Sequence, residues 1–374
     1  MTHGGVPVDG VGGNHVIDSE GRRGRRVNSN PRPPALPALF VLVLVTALAG
    51  CSGSHSILDP AGPAARDVAW LWWGMLIGFG LVFLAVVALW LAAFRPRERP
   101  ERGPGQRHSP DEERRLGLRW ILGGGILLPG VTILVLLAFG VPAGQRLLSL
   151  PLPGGETPRV IEVTGHQWWW EVRYPDEAGE VVTANHLVMP VGEPVDFHVT
   201  GADVIHAFWV PRLGGKIDMI PGRINRIRLQ ADTPGVFGAQ CAEYCGVQHA
   251  HMQLHLEAVP PEAFEAWLAA RREPARPRTP PADDHAPARD TFIEQCARCH
   301  RVAGLSDGDT GPDLSDIGAR ATLGAGTLAM EEGAIARWLA EHQRLKPGNR
   351  MPAHDHLAPE ALEALGAWLE TRVP

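Results

Sequence analysis

The sequence predicts a multidomain chain: a two-helix transmembrane hairpin, then an all-β Greek-key domain, then a small all-α domain. Three observations carry this. Two long apolar runs, Val68 to Phe94 and Trp120 to Val141, contain no charge. Period-two hydrophobic runs broken by Gly, Pro and Asp follow from Val160 to Val259, the pattern of short strands. After a Pro-rich break, a Cys-x-x-Cys-His motif at Cys296 opens a last segment that closes with an amphipathic helix, ALEALGAWLETRV.

The 374 residues exceed one average domain. With 35 Lys and Arg against 41 Asp and Glu, the net charge of −6 excludes a strongly basic nucleic-acid binder. Five cysteines are too few and too clustered for a disulfide scaffold: Cys51 stands alone, Cys241 goes with Cys245, and Cys296 with Cys299. Short paired spacings of this kind read as metal or cofactor sites.

The chain begins with a segment, residues 1–50, that reads as a signal peptide. Arg22, Arg23, Arg25 and Arg26 precede an apolar core, Ala38 to Gly50, which is too short to span a bilayer comfortably. The core ends in Leu48-Ala49-Gly50-Cys51, which resembles a bacterial lipoprotein signal with Cys51 as the lipidated first residue of the mature chain. The alternative is an uncleaved segment with an incidental cysteine. Residues 51–150 then form the hairpin. Trp70, Trp72, Trp73 and Trp90 lie near the ends of the first apolar run and Trp120 opens the second, as interfacial anchors do. The segment between the runs, Arg95 to Arg119, is dense in Arg, so the positive-inside rule places it in the cytoplasm. Both outer ends of the hairpin, and everything after Val141, then face the periplasm of a bacterial inner membrane.

Residues 151–262 carry the β pattern: VIEVTG, WWWEVRY, VDFHVTG, INRIRLQA and MQLHLEAV read as strands of a sandwich or Greek-key barrel. Near the end stands CAEYCGVQHAHM, with Cys241, Cys245, His249 and Met252. Two thiolates, an imidazole and a thioether are soft ligands suited to copper in an electron-transfer role. Zinc would leave Met252 idle. A second imidazole is wanted, and His206, which follows a strand among apolar residues, is the candidate. A Cys241–Cys245 disulfide is the bland alternative in an oxidising compartment. His198, His251 and His255 belong to no motif and read as surface or hydrogen-bonded histidines, and Met219 reads as core.

The run CAEYCGVQHAHM, together with DVIHAFWVP and GGKIDMIPGR before it, resembles subunit II of haem–copper cytochrome c oxidases. The resemblance covers the hairpin and the β domain. It implies a cupredoxin fold holding a dinuclear copper centre, CuA, in which Cys241 and Cys245 bridge the two coppers. His206, His249 and Met252 would be terminal ligands, with the backbone carbonyl of Glu243 as the remaining one. The Glu243 side chain would reach a magnesium ion at the boundary with subunit I. Within GHQWWW, Trp168 matches the position through which electrons come in from cytochrome c, whereas Trp169 and Trp170 read as strand core and edge. In one place the chain departs from the family: RWILGGGILLP, opening the second membrane run, lacks the Glu often found near a proton path.

Residues 263–290 read as a closing helix, PPEAFEAWLAARRE, followed by a semi-extended Pro- and charge-rich linker. Residues 291–374 are few for an independent core unless a cofactor fills it. Cys-x-x-Cys-His is the attachment signature of haem c, with thioethers at Cys296 and Cys299 and His300 as axial ligand. A short helix, TFIEQ, leads into it. The segment from Gly311 to Leu314 and then KPGNRMP follow, so that this part is similar to class I cytochrome c domains throughout. That resemblance implies that the Pro312 carbonyl orients His300 and that Met351 is the second axial ligand, with His354 and His356 as competitors. Met/His ligation leaves no open iron position, so electron transfer is its role.

Together these readings give a wire. A soluble cytochrome c or a membrane complex would reduce the haem, and the tethered haem domain would dock on the CuA domain near Trp168. Electrons would then pass to subunit I, accompanied by a subunit III, for proton-pumping reduction of oxygen to water. A nitric oxide reductase subunit and a free-standing membrane redox carrier are the alternatives.

Overall fold

The two apolar runs form helices and the five strand segments read from the sequence form strands, and prolines and caps set several of the boundaries. The computed structural model describes residues 53–95, 109–152, 154–155, 157–176, 179–272, 276–277 and 285–374. The expected signal peptide and Cys51 lie outside these residues.

Helix α1 (Pro63–Ala93) starts on Pro63, whose fixed φ and missing N–H suit a first helical turn. Helix α2 (Pro110–Trp120) begins inside the segment that the sequence reads as a loop. Ser109 accepts from Glu112 N while the Glu112 carboxylate accepts from Ser109 N, a capping box, and Pro110 follows directly. The winding then widens to i→i+5 across Ile121–Leu127 before α3 (Leu128–Gln145) resumes the α form. Pro129 cannot return a hydrogen bond four residues back, and the three glycines before it have no Cβ to resist the wider turn. At 31 and 36 residues, Pro63–Ala93 and Pro110–Gln145 are long and apolar enough to cross a membrane. Their side chains, such as Leu81, Phe83, Trp90, Leu134 and Phe139, are exposed as lipid-facing residues must be. Arg146 Nε lies 2.5 Å from an Asp67 carboxylate oxygen and ties the outer ends of the hairpin together.

Those ends are fastened to the β domain. Ala61 N donates to Arg212 O at 2.8 Å, Asp232 N to Ala61 O at 2.8 Å, and Arg228 N to Leu147 O at 3.0 Å. Gly62 is required here, because a Cβ would lie 2.2 Å from Gln230 O.

Ten strands form two facing sheets. β1 (Arg159–His166), β2 (Trp169–Tyr174), β3 (Val181–Ala184), β5 (Val195–Gly201) and β8 (Asn225–Leu229) make the first, in the order β3-β2-β1-β5-β8. β4 (His186–Pro190), β6 (His206–Trp209), β7 (Lys216–Met219), β9 (Gly235–Cys241) and β10 (Gln253–Val259) make the second, in the order β4-β10-β9-β6-β7. The β1–β5 and β4–β10 pairs are parallel and the other strand pairs antiparallel. Alternation sends Ile161, Val163, Trp170, Val172, Phe197, Phe208, Leu229, Phe237 and Leu256 into one core between the sheets. Met219 is fully buried in it, as read from the sequence. Helix α4 (Pro261–Arg272) closes the domain by burying Phe264 and Leu268, with Phe264 6.1 Å from the Tyr174 ring.

The last domain is helical. α5 (Ala286–Gln295), α6 (Ala334–Leu345) and α7 (Pro359–Glu370) surround Phe292, Ile335, Leu339, Leu365 and Trp368. α5 begins five residues before the expected helix, because Pro287 is a favourable first-turn residue rather than part of the linker. α6 and α7 cross at Gly366, where a Cβ would meet Ala336 N at 2.7 Å. The Gly366→Val substitution is therefore expected to destabilise this domain by about 1–3 kcal/mol, read as a lower denaturant midpoint for loss of helical signal in the exported part of the chain.

Candidate metal centre

The copper-type donors come from three separate places on the second sheet. Cys241 is the last residue of β9, His206 the first of β6, and Cys245, His249 and Met252 sit on the loop that returns to β10. The loop is tied at its neck, where Cys241 N donates to Met252 O at 3.1 Å. A tight return of this kind puts residues four and eight apart in sequence onto one point. The Cys241 and Cys245 sulfurs are 3.7 Å apart, and both thiols are free. A disulfide needs about 2.03–2.05 Å, so this pair is a dithiol.

The remaining donors converge on the two sulfurs. His206 Nδ1 lies 3.9 Å from Cys241 Sγ, and His249 Nδ1 lies 3.7 Å from Cys245 Sγ. Met252 Sδ lies 3.8 Å from Cys245 Sγ, and the Glu243 carbonyl lies 3.1 Å from Cys241 Sγ. His206, Cys241, Cys245 and Met252 are all buried. The sulfur–sulfur hydrogen bond gathers one negative charge on the pair: it pulls Cys241 down to about 3 and pushes Cys245 up. Two soft sulfurs with an imidazole on each, a thioether and a carbonyl suit a pair of copper ions, and the separations leave room for metal between donors. The Glu243 side chain points elsewhere, half-exposed, 3.7 Å from Lys216 Nζ.

One residue that the motif reading passed over orients this site. Asp203 Oδ1 lies 2.9 Å from His206 Nε2, the nitrogen not aimed at Cys241. A carboxylate on the far nitrogen fixes the tautomer of a metal-binding imidazole. Burial works against the Asp203 anion, but the bonds from His206, Gln167 N and Val204 N outweigh it and hold its pKa down. The spacing Asp203-Val-Ile-His206 was the available signal.

Trp168 is buried, and its indole Nε1 donates to Cys245 O at 3.0 Å, so the ring rests on the thiol loop itself. Gly246, at φ +119°, lets it approach; a Cβ there would meet the indole at 2.9 Å. Trp170 is fully buried and Trp169 stacks on His166 at 4.1 Å, in keeping with their reading as core and edge.

In the helical domain, His300 Nδ1 donates to Pro312 O at 2.8 Å, which leaves Nε2 as its free donor atom. Cys296 and Cys299 are free thiols on the turn before it. Gly308 and Gly311 close around this turn: a Cβ at Gly308 would meet Ala297 O at 2.6 Å, and one at Gly311 would meet the His300 ring at 2.7 Å. An oriented imidazole beside two free thiols fits haem c. Met351 is half-buried on a loop braced by Asn349 Oδ1, which accepts from Met351 N at 3.0 Å. His354 is buried too, and its Nε2 has no hydrogen-bond partner among the described residues; His356 Nε2 lies 3.1 Å from Gln295 Oε1.

The two domains meet at Trp168. Lys346 enters from the loop that carries Met351, and its Nζ donates to the carbonyls of Trp168 at 2.8 Å, His251 at 2.7 Å and Gly324 at 2.6 Å. Three donors thus meet three acceptors. Burial pushes the Lys346 pKa down to about 7, against the attraction of the nearby Cys245 sulfur. Gln248 Nε2 donates to Pro347 O at 2.8 Å, Gln253 N to Ala325 O at 3.0 Å, and Arg350 Nη2 to Gln167 Oε1 at 3.2 Å. At the other end of the seam Asp316 bonds Arg271 of α4 at 2.9 Å and Arg320 at 2.6 Å. The Asp203→Asn substitution should weaken copper binding about 10–100-fold, the usual effect of losing an outer partner, measured by competition with a copper chelator.

The matched families follow the same division. Residues 177–259 match the family of the cytochrome c oxidase subunit II periplasmic domain, and residues 286–372 match the cytochrome c family. The chain is 33% identical to cytochrome c oxidase subunit 2 of Alkalihalophilus pseudofirmus over 90% of this chain and 96% of that one. It is 30% identical to cytochrome c oxidase subunit 2 of Cereibacter sphaeroides over 59% of this chain and 81% of that one. Among solved structures, the periplasmic domain of cytochrome oxidase subunit II of Bradyrhizobium japonicum shares 36% identity. That match covers 31% of this chain and 95% of that domain, with a TM-score of 0.30. With a relative 33% identical over almost its whole length and both family matches in place, the chain belongs to the cytochrome c oxidase subunit II family, in the form that carries a C-terminal cytochrome c domain.

Proposed function

We propose that this chain is the electron-input subunit of a haem–copper terminal oxidase, taking electrons from a donor and passing them to subunit I, where oxygen is reduced to water with proton pumping. The observation that carries this reading is the position of Trp168. Its indole donates to the Cys245 carbonyl, and its own carbonyl accepts from Lys346 of the haem-domain loop.

In this reading Cys241, Cys245, His206, His249, Met252 and the Glu243 carbonyl would hold two copper ions, and Cys296, Cys299, His300 and Met351 would hold haem c. When bound, these groups supply one-electron chemistry at positions with little change in geometry. The protein does the rest. Asp203 and Pro312 O each fix the orientation of one imidazole, His206 and His300 respectively. Lys346 and Asp316 hold the domains in register. The tether replaces a bimolecular encounter by a high effective concentration. The Glu243 side chain is assigned to magnesium at the subunit I boundary.

Residues 1–50 are assigned as a lipoprotein-type signal with Cys51 acylated, residues 51–150 as a two-pass hairpin with the Arg-rich segment Arg95 to Arg119 on the cytoplasmic side, and residues 151–262 and 291–374 as periplasmic domains joined through 263–290. The hairpin geometry supports this topology, because both outer ends are bonded to the β domain. Partners are subunit I and subunit III, with a cytochrome c or a membrane complex as donor.

The deciding measurement is metal content with low-temperature EPR on the exported part, residues 151–374, matured for haem and loaded with copper. Two coppers per haem, with hyperfine structure from one electron shared by two equivalent coppers, are expected. One copper, zinc or a Cys241–Cys245 disulfide would overturn the reading. A second test addresses docking. A hydrogen bond to a charged group is worth about 1.5–3 kcal/mol, and 1.4 kcal/mol is tenfold in an equilibrium constant. The Lys346→Met variant should therefore slow haem-to-copper electron transfer about tenfold or more after flash reduction, with the copper EPR signal unchanged.

A further inference from the structure

Outside the copper loop, the second sheet gathers another set of metal-binding side chains that the electron-transfer reading does not use. β4 and β10 run parallel with His255 opposite His186. Side chains alternate along a strand, so Glu257, two residues on, shares the face of His255. The two imidazoles meet edge to face with centroids 5.4 Å apart. One donor atom from each of His186, His255 and Glu257 lies within 4.8 Å of the other two, and His186 Nε2 is 3.7 Å from Glu257 Oε2.

His186 is 7% exposed, and neither of its ring nitrogens has a hydrogen-bond partner among the described residues. Buried polar atoms left unpaired are uncommon in native proteins and call for a ligand. Here the unpaired nitrogens face a second imidazole and a carboxylate. Burial pushes His186 down to about 4 and also lowers His255, so both rings are neutral near pH 7 and offer lone pairs rather than protons. Trp267 stands edge-on to His186 at 6.3 Å and walls one side.

We propose that His186, His255 and Glu257 form a second metal site, separate from the copper loop, that takes a divalent first-row ion, with zinc the best match. The donor set is borderline in softness and holds no thiolate, so it does not select Cu(I). Two imidazoles and one carboxylate are a zinc set that leaves a fourth position to water, and bonds of about 2.0–2.1 Å place tetrahedral donors roughly 3.3 Å apart. The His186–Glu257 pair is already near that spacing. Rotation of His255 and Glu257, both only partly buried, closes the remainder. The ion would satisfy His186 and clamp β4 to β10.

The test uses the full haem- and copper-loaded chain in detergent, made without a polyhistidine tag, and zinc ion alone as the probe. Calorimetric titration and metal analysis after desalting should show one zinc per chain above the copper and iron, with two imidazoles in the zinc X-ray absorption edge. The His255→Gln and Glu257→Gln variants change partly exposed positions, and unchanged copper and haem content checks their folding. His255→Gln should weaken zinc binding at least tenfold and Glu257→Gln measurably less. Three results overturn the site: no zinc retained, equal zinc retained by wild type and both variants, or copper released in step with zinc uptake.

Discussion

Two sulfur atoms held 3.7 Å apart at the end of β9 set the terms for everything around them. Two sulfurs this close share one negative charge, and they keep their spacing because the backbone fixes it and neighbouring groups share that charge. β9 supplies the first fixed point and the bond from Cys241 N to Met252 O the second. The sandwich core beneath, from Phe208 to Phe237, makes both points rigid. A site built on strand ends above a packed core changes shape little when its charge changes, which is what rapid one-electron transfer requires.

The same constraint reaches outward through Trp168. Its indole satisfies the Cys245 carbonyl, so the thiol loop cannot move without the tryptophan. The Trp168 carbonyl in turn receives Lys346, so the tryptophan is tied to the haem domain. One buried amino group therefore carries two carbonyl bonds across the seam between domains, to Trp168 and His251, and a third within its own domain, to Gly324. At the opposite end Asp316 is fully enclosed by Arg271 and Arg320, which hold its carboxyl below the usual range against the cost of burial. A buried charge pair of this kind adds little net stability but penalises every misaligned arrangement. The seam thus selects one docking geometry rather than many.

The hairpin follows from different physics. Its lipid-facing surface packs on no tertiary core, and among the described residues it is bonded to the rest at its outer ends, through Arg66 with Asp232 and the backbone bonds of Ala61 and Leu147. The two halves of the chain therefore answer to two solvents, and the bonds at the hairpin ends fix where one solvent gives way to the other.

Much of this was written in local sequence. Charge-free runs of helical length, the spacing of Cys241, Cys245, His249 and Met252, and Cys-x-x-Cys-His at Cys296 each report through nearest neighbours along the chain, so hydrophobic period and donor chemistry suffice to read them. Strands β3, β4, β6 and β7 escape the sequence reading because they are only four or five residues long, and β9 because Gly235, Gly238 and Ala239 leave it little hydrophobic period despite its alternating burial. The start of α2 was hidden by the charges of its exposed face. Tertiary structure alone decided which residues far apart in sequence would meet. Lys346 under Trp168, 178 residues away, required two domains to dock. His186 beside His255 required β4 and β10 to run parallel in one register. No local pattern encodes such meetings, since they depend on the closure of long loops around a shared core, and it is there that the chain's chemistry beyond its motifs resides.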